Sequence, residues 1–457
     1  MPVTQLESWI SLQIDLPRKT VLSRTALRRW QLDRLRATVD LARTHSPWYR
    51  KRLQDTVLPE TEDPTVLVQA LPLTTAEDIR AHGPEMLCCS QAAIERIITL
   101  ESSGTSAAPK RIFFTSDDLK ATKGFFQYGM RLVVGPDDKV LVLLPCQRDN
   151  DVGNLLVAAL NEAGIASRAH WPPHDPEALA RAVHEHEAHC LVGLPQHILA
   201  LARHPRSGLA AAHLKSILLC SDYTDPCVRE AIAAGLSCRV HIHYGSTESG
   251  LGAAVECKEG LGCHIRENDL LFEIIDPDTG VVLPPDTVGE IVFTTLTRTG
   301  MPLLRYRTGD IGRLKSQRCS CGSILTRLTD LQGRLDNAIT FPGQGTLSLA
   351  ALDQALLAQP TITSYEAAVY DPPDATPESP PRLALDLVVR PGSQRTGEDL
   401  ARQALLTVPV LRQTVLAGQL TLEISTTEVP FERSHTAKRS LSDKRHLSQR
   451  EYHAQRS

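Results

Sequence analysis

Through the first hundred residues apolar side chains recur every three or four positions. From about residue 111 they gather into short continuous runs separated by longer amphipathic ones. LRRWQLDRLRATVDLARTH has helical spacing and is followed by Ser46-Pro47, so the pattern predicts a long helix that stops before the proline. In LPLTTAEDIRAHG, Thr75 precedes Ala-Glu-Asp, which predicts a helix start with acids in the first turn, where the helix dipole favours them. KVLVLLP, HCLVGLP, SILLC and RVHIHYG then read as strands, alternating with helical VGNLLVAALNEAG, HILALARH and VREAIAAG. That rhythm predicts stacked strand–helix units on a largely parallel sheet.

After residue 265 the texture changes. DLLFEIIDPDTG and GEIVFTTL predict short strands joined by Asp-Pro and Thr-Gly turns. From roughly 338 a separate α+β unit is expected, with helices at LSLAALDQALLAQ and TGEDLARQALLTV and strands at YEAAVYD, LALDLVV and LTLEIST. The Pro-rich DPPDATPESPPR inside it reads as an exposed hairpin loop, and the polar, basic tail from about 446 as a frayed end.

A chain of 457 residues exceeds one ordinary core, so two or three domains are expected. The net charge of -4 argues against broad electrostatic binding to nucleic acid or an anionic membrane. No apolar run approaches the roughly 18 residues of a membrane helix. MPVTQLESWISLQIDLPRK lacks the layout of a secretion signal, which makes the cytoplasm the expected address. The 11 cysteines then read as buried, reactive or metal-bound thiols rather than disulfides.

Four polar stretches interrupt this framework: SSGTSAAPK at 102–110, HYGSTESG at 243–250, YRTGD at 306–310 and GRLDN at 333–337. Ser102, Ser103, Gly104 and Thr105 offer hydroxyls and backbone amides suited to a polyphosphate, and Lys110 adds a positive charge. The loop is not a Walker P-loop, because the G-x-x-x-x-G-K-[ST] spacing is missing. In their order these stretches resemble the adenylate-forming enzymes, the acyl-CoA synthetase superfamily. SPWYRKRL and LPLTTAEDIR make the phenylacetate-CoA ligase branch the nearest likeness. The chain departs from that pattern at Ser106-Ala107-Ala108, where Thr-Gly-x is usual.

The resemblance implies an α/β fold: a large N-terminal domain over 1–333, a hinge at 334–337, a small mobile α+β domain over 338–445 and the tail. Within the large domain it implies a helical start (1–100), an α/β core (101–264) and a β-rich subdomain (265–333). The implied activity is AMP-forming ligation of a small carboxylic acid to coenzyme A, using ATP and Mg2+. Ser102 to Thr105 and Lys110 would meet the phosphates. Tyr244, with Gly245 beside it, would stack on adenine; Thr247 would lie on the phosphate side, and Glu248 would hold magnesium, a hard cation that prefers oxygen ligands. Asp310 would accept the ribose hydroxyls, Arg334 would stand at the domain junction and Asp336 would be the hinge.

The late lysine that steadies developing charge in this family would be Lys438, with Lys444 as the alternative register. Cys257, His264, Cys319 and Cys321 match a ligand set of that branch and suit a closed tetrahedral zinc site, with Cys263 as a competing ligand. Asp222, Tyr223, His243, Arg148 and Asp149 are candidates for contacting a polar acid, or are surface residues. A homodimer is compatible with the resemblance. Two other functions stay open: an adenylyltransferase that loads a carrier protein, and a non-catalytic nucleotide-binding scaffold or sensor.

Overall fold

A computed structural model describes all residues except 1–3, 18–19, 101–108, 150, 373–378, 430–438 and 446–457. The chain forms a mixed α/β fold with a large mixed sheet and a small C-terminal sheet. It divides into two compact units. One holds Met1–Val142, Cys146–Ala169 and His241–Leu331; the other holds Leu143–Pro145, His170–Val240 and Gln332–Ser457.

In the first unit, helix ends follow their local chemistry. Ser23 caps Arg24–His45, which ends where expected, and Ser46 then caps Pro47–Arg52, with the proline in a first turn that needs no donor from it. Thr75 and Asp78 form a reciprocal capping box on Ala76–His82, and Thr115 and Asp118 do the same for Ser116–Met130. Gln5–Gln13 is also helical, opened by a box between Thr4 and Glu7.

Antiparallel strands Ile94–Leu100 and Lys110–Thr115 stand on either side of residues 101–108 in the chain, with Leu100 opposite Lys110. Parallel pairing joins Val140–Val142 to Ser167–Ala169. From Tyr244 onward the strands pair antiparallel: Ala254–Glu256, Cys263–Ile265, Arg327–Thr329, Tyr306–Lys315, Val288–Thr295 and Leu270–Ile275 lie in that spatial order. The switch has a simple cause: several of these links are short, whereas a parallel return needs a crossover of about a dozen residues or more.

In the second unit, Cys190–Gly193 and Ser216–Leu219 pair in parallel. Helices Pro195–Arg203 and Pro226–Leu236 cross closely at Gly235, where an added Cβ would stand 2.5 Å from the Ala202 carbonyl oxygen. The small sheet has the order Thr421–Thr427, Arg382–Val389, Ile362–Tyr370, Leu441–Asp443. Its central pair is the antiparallel hairpin expected around the Pro-rich segment, and both outer strands pair in parallel. Leu349–Leu356, Gln394–Leu405 and Pro409–Leu416 are its helices, and Leu352, Leu356, Leu385, Leu405 and Leu411 are buried in its core. Each such side chain contributes about 1.5–3 kcal/mol by leaving water. Among the described residues no helix is long and apolar enough to cross a membrane.

Candidate functional site

Tyr244 closes the strand Arg239–Tyr244, and the chain then folds into a tight turn with hydrogen bonds from Leu251 N to Ser246 O (2.9 Å) and from Gly250 N to Thr247 O (3.1 Å). Two glycines permit it. A Cβ on Gly245 would lie 2.8 Å from the Gly252 Cα, and one on Gly252 would lie 2.7 Å from the Phe125 ring. From this frame the Tyr244 hydroxyl donates to Asp310 Oδ2 at 2.8 Å, so two residues 66 positions apart, singled out for adenine and ribose, are brought together.

Asp310 lies inside the strand Tyr306–Lys315, not in a free turn. The ladder to Val288–Thr295 shifts register between Glu290 and Val292, and this irregularity is built from specific bonds. Thr308 Oγ1 donates to Ile291 O (2.7 Å) and accepts from Asp310 N (3.0 Å), while Gly309, at φ 74°, donates its N–H to Glu290 Oε1 (3.1 Å). Arg307 grips Glu290 Oε2 from Nε (2.9 Å) and Nη2 (2.5 Å). Glu290 is therefore the scaffold of Asp310, a role that no local motif signals.

Glu248 is buried, and its Oε1 accepts from the Lys110 ammonium and, at 2.9 Å, from the Tyr306 hydroxyl. Burial alone would raise its pKa; the Lys110 charge and the hydrogen bonds outweigh burial and hold the carboxyl down at about 2. Lys110, read from sequence as a phosphate contact, thus also serves as the counter-ion of the carboxylate read as the magnesium ligand. Ser102, Ser103, Gly104 and Thr105 lie outside the described residues, as does Lys438.

His243 sits between Gly252 and Phe125, its ring centroid 6.1 Å from that of Phe125. Burial, reinforced by Arg266, brings its pKa to about 4, so the imidazole is neutral near pH 7. Neither ring nitrogen has a hydrogen-bond partner among the described residues. In the second unit Asp222 is engaged by Arg439, whose Nε donates to Oδ2 at 3.0 Å, and the Tyr223 carbonyl accepts from Arg439 Nη2 at 3.1 Å. Arg148 and Asp149 are exposed. Arg334 and Asp336 form a two-bond ion pair of 2.8 and 3.0 Å. Lys444 N donates to Val369 O at 2.7 Å, where the last strand ends.

Back in the first unit, the ligating atoms of Cys257, His264, Cys319 and Cys321 all lie within 4.8 Å of one another. The Cys257–Cys319 sulfurs are 3.9 Å apart, and Cys321 Sγ is 3.5 Å from His264 Nε2. Zinc–sulfur bonds of about 2.3 Å in a tetrahedron require edges of about 3.8 Å, so the four atoms can close around such an ion. Burial, then Arg327, lowers His264 to about 4, which leaves it in the neutral form that ligates. Cys263, next in sequence, points the other way, its thiol toward Ile242 O at 3.4 Å, because adjacent strand residues face opposite sides. The sequence does not mark Glu7, which is 2% exposed and braces the Cys-x-Cys turn by accepting from Ser323 Oγ (2.9 Å) and Ile324 N (2.8 Å).

Comparison with known proteins bears on these sites directly. Residues 97–297 match the family described as AMP-binding enzyme, a span that holds Lys110, Tyr244 and Glu248. The chain is 28% identical to a phenylacetate-coenzyme A ligase of Thermus thermophilus over 363 residues, covering 76% of this chain and 79% of that protein. It is 25% identical to the phenylacetate-coenzyme A ligase of Escherichia coli over 326 residues, covering 69% and 73%. A crystal structure of 2-hydroxyisobutyryl-CoA ligase with 2-HIB-AMP, in the postadenylation state, matches at a TM-score of 0.74 and 18% identity over 93% of this chain and 92% of that one, a likeness of fold. Over residues 97–297 the chain is similar to the AMP-binding enzyme family, and it is a distant homologue, at 25–28% identity, of the phenylacetate-CoA ligases.

Proposed function

We propose that this protein is an AMP-forming acyl-CoA ligase whose nucleotide site is built on Tyr244, Glu248 and Asp310. The observation that carries this reading is the Tyr244–Asp310 hydrogen bond, with Glu248, four residues past Tyr244, held ionised by Lys110 and by Tyr306 of the strand that carries Asp310. Tyr244 offers its ring to adenine and Asp310 accepts from the ribose hydroxyls. Glu248, with Thr247 beside it, holds Mg2+; that ion neutralises phosphate charge when bound. Ser102, Ser103, Gly104, Thr105 and Lys110 receive the β- and γ-phosphates.

In the first half-reaction a carboxylate oxygen of the acid bonds to the α-phosphorus of ATP. The bond to the bridging oxygen breaks and pyrophosphate leaves. Lys438 steadies the charge that builds on the α-phosphate. The domain beyond the hinge at Asp336 then turns. The coenzyme A sulfur bonds to the acyl carbon, the bond to AMP breaks, and the thiol proton passes to solvent. Excluding water during this interval preserves the acyl-adenylate. Cys257, His264, Cys319 and Cys321 hold a structural zinc ion that ties the two ends of the β-rich region together.

The test is pyrophosphate release from Mg-ATP across aryl, heteroaryl, aliphatic and hydroxy acids, with and without coenzyme A, beside Lys438→Ala. Release that needs one acid, rises with coenzyme A and collapses in the variant is the expected result. Release that ignores coenzyme A points to carrier loading instead. Silence across the panel, with ATP binding intact by calorimetry, replaces the ligase by a nucleotide sensor.

A further inference from the structure

We infer that Arg266 is a positioning residue for the divalent cation: with Thr122 it brackets, from behind, the turn that carries Glu248. The inference rests on the ligase reading above, and every residue it uses belongs to the first unit. Arg266 Nη2 donates to the Ser249 carbonyl at 2.5 Å, one residue past Glu248. Thr122 shares its hydroxyl proton between the carbonyls of Gly250 and Asp118, each at 3.0 Å. The main chain of Arg266 is fixed as well, its N–H donating to Ala253 O at 3.0 Å. One residue thus grips the chain at 249 and at 253, on either side of Gly250, which turns back at φ 84°. Arg266 and Thr122 are 3% and 1% exposed.

The guanidinium itself is held on several sides. It lies over the Phe125 ring, 5.2 Å from the centroid, and Nε faces Asp269 Oδ2 at 3.7 Å. Asp269 in turn accepts from Thr297 Oγ1 at 3.1 Å and Asn268 Nδ2 at 2.9 Å. Among the described residues Nε and Nη1 make no hydrogen bond, so the one that Arg266 makes from its side chain goes to the turn. Arg298 stands alongside, over the Phe114 ring. A Cβ on Gly250 would lie 2.7 Å from Arg266 Nη2 and 2.6 Å from Arg298 Nη2, so both groups converge on this residue. Two like charges buried together are costly unless carboxylates offset them; Asp269, and Asp118 on the helix that carries Thr122, do so. From the front, the Glu248 carboxylate is held by Lys110 and Tyr306. On the proposed reading the cation and the phosphates take over those partners, and the rear bracket then fixes where the carboxylate stands. Mg2+ tolerates little departure from octahedral geometry, so a ligand free to shift binds it less well. The Tyr244–Asp310 contact lies outside the bracketed stretch, so nucleotide binding without metal does not call on Arg266.

The test separates metal from nucleotide and needs no knowledge of the acid. Calorimetry gives the Kd of the α,β-methylene analogue of ATP twice, once with EDTA and once with saturating Mg2+. The ratio of the two is the contribution of the metal. Arg266→Lys keeps the charge and loses the planar reach to Ser249; Thr122→Val keeps the volume and removes the hydroxyl. We expect the ratio to shrink about tenfold in Arg266→Lys and about threefold in Thr122→Val, with the Kd in EDTA within about twofold of the unaltered protein. In ATP–pyrophosphate exchange the same loss should appear as a raised half-saturating Mg2+, with kcat at saturating Mg2+ within about threefold. An unchanged ratio in Arg266→Lys overturns the inference. So does an equal loss of binding in EDTA, which would make the bracket a folding element. If Arg266→Lys does not fold, Thr122→Val decides on the same two readouts. Glu248→Gln tests the reading underneath: if it leaves the ratio unchanged, Glu248 is not the metal ligand, and the proposed site fails first, with the inference after it.

Discussion

Lys110–Glu248 in the first unit and Arg439–Asp222–Asp353 in the second are both buried ion pairs, yet they are built for opposite purposes. The lysine meets its carboxylate with one ammonium, backed by a single tyrosine hydroxyl, and is 14% exposed. The arginine engages two carboxylates and a carbonyl with its planar fork. A point charge on a flexible stem is easily displaced; a fork with fixed acceptors is not. On the proposed reading, the first pair keeps the Glu248 carboxylate ionised until a divalent cation and phosphates take over its partners. The second holds one arrangement of the chain. Burial alone does not distinguish a site from a strut; the geometry of the donor does.

The sharpest attempt to break this contrast is Glu248→Gln. It removes the proposed magnesium ligand and strands the Lys110 ammonium, so pyrophosphate release should drop by about 10²- to 10³-fold. Denaturant unfolding should also show a loss of roughly 3 kcal/mol. Activity within tenfold of the unaltered protein would make the pair a strut as well. Lys110→Met is the milder probe. Without the lysine competing for Glu248, half-saturating Mg2+ should fall, while kcat drops by about tenfold because the phosphates lose a charge. Unchanged magnesium dependence would show that lysine and cation do not share the carboxylate.

How much of this was legible in the sequence depends on distance along the chain. YGSTE and YRTGD are short runs, so Tyr244, Glu248 and Asp310 could be singled out, and the metal-ligand set could be matched at its spacing. Helix ends were readable where Ser46, Pro47 and Thr75 write them locally. What could not be read is who meets whom across the fold. Glu290 serves Asp310 from a neighbouring strand, Glu7 reaches Ser323 across 316 positions, and Arg439 reaches Asp222 across 217. No periodicity or motif encodes such pairings, because they follow from packing. Lys110 illustrates the same limit: its charge was legible, its partner was not.

The cluster of Cys257, His264, Cys319 and Cys321, on the proposed zinc reading, is a third kind of tie, made of thiols and an imidazole, and it sharpens the contrast by removal. Preparations should carry one zinc per chain by elemental analysis. Stripping it with a chelator, or Cys319→Ser, should lower the melting temperature by about 5 °C. At 25 °C pyrophosphate release should stay within about twofold, since the cluster braces the β-rich region and not the phosphates. A loss of activity as large as that in Glu248→Gln would move the metal into the chemistry.

The smallest effect, and the most diagnostic of the two pairs, is in stability against pH. Glu248 is held at about 2, below its usual 4.5, so between those values the unfolded chain binds the extra proton. That contribution is complete above pH 4.5 and is lost as pH falls toward 2. Asp353 goes the other way: burial, only partly offset by Arg439, pushes it from 3.8 to about 6, so there the folded chain holds the extra proton. Its contribution is complete below pH 3.8 and is lost as pH rises through 6. Thermal melts from pH 3 to 7 should therefore show a rising arm at acid pH and a falling arm toward pH 6. Asp353→Asn should flatten the falling arm while sparing the rising one; Asp269 and Glu273, also raised by burial, keep some of it. Lys110→Met should do the reverse. Melts of Asp353→Asn that run parallel to those of the unaltered protein would show that Arg439 keeps both carboxylates charged throughout, and the clamp would then be the stronger of the two pairs at every pH.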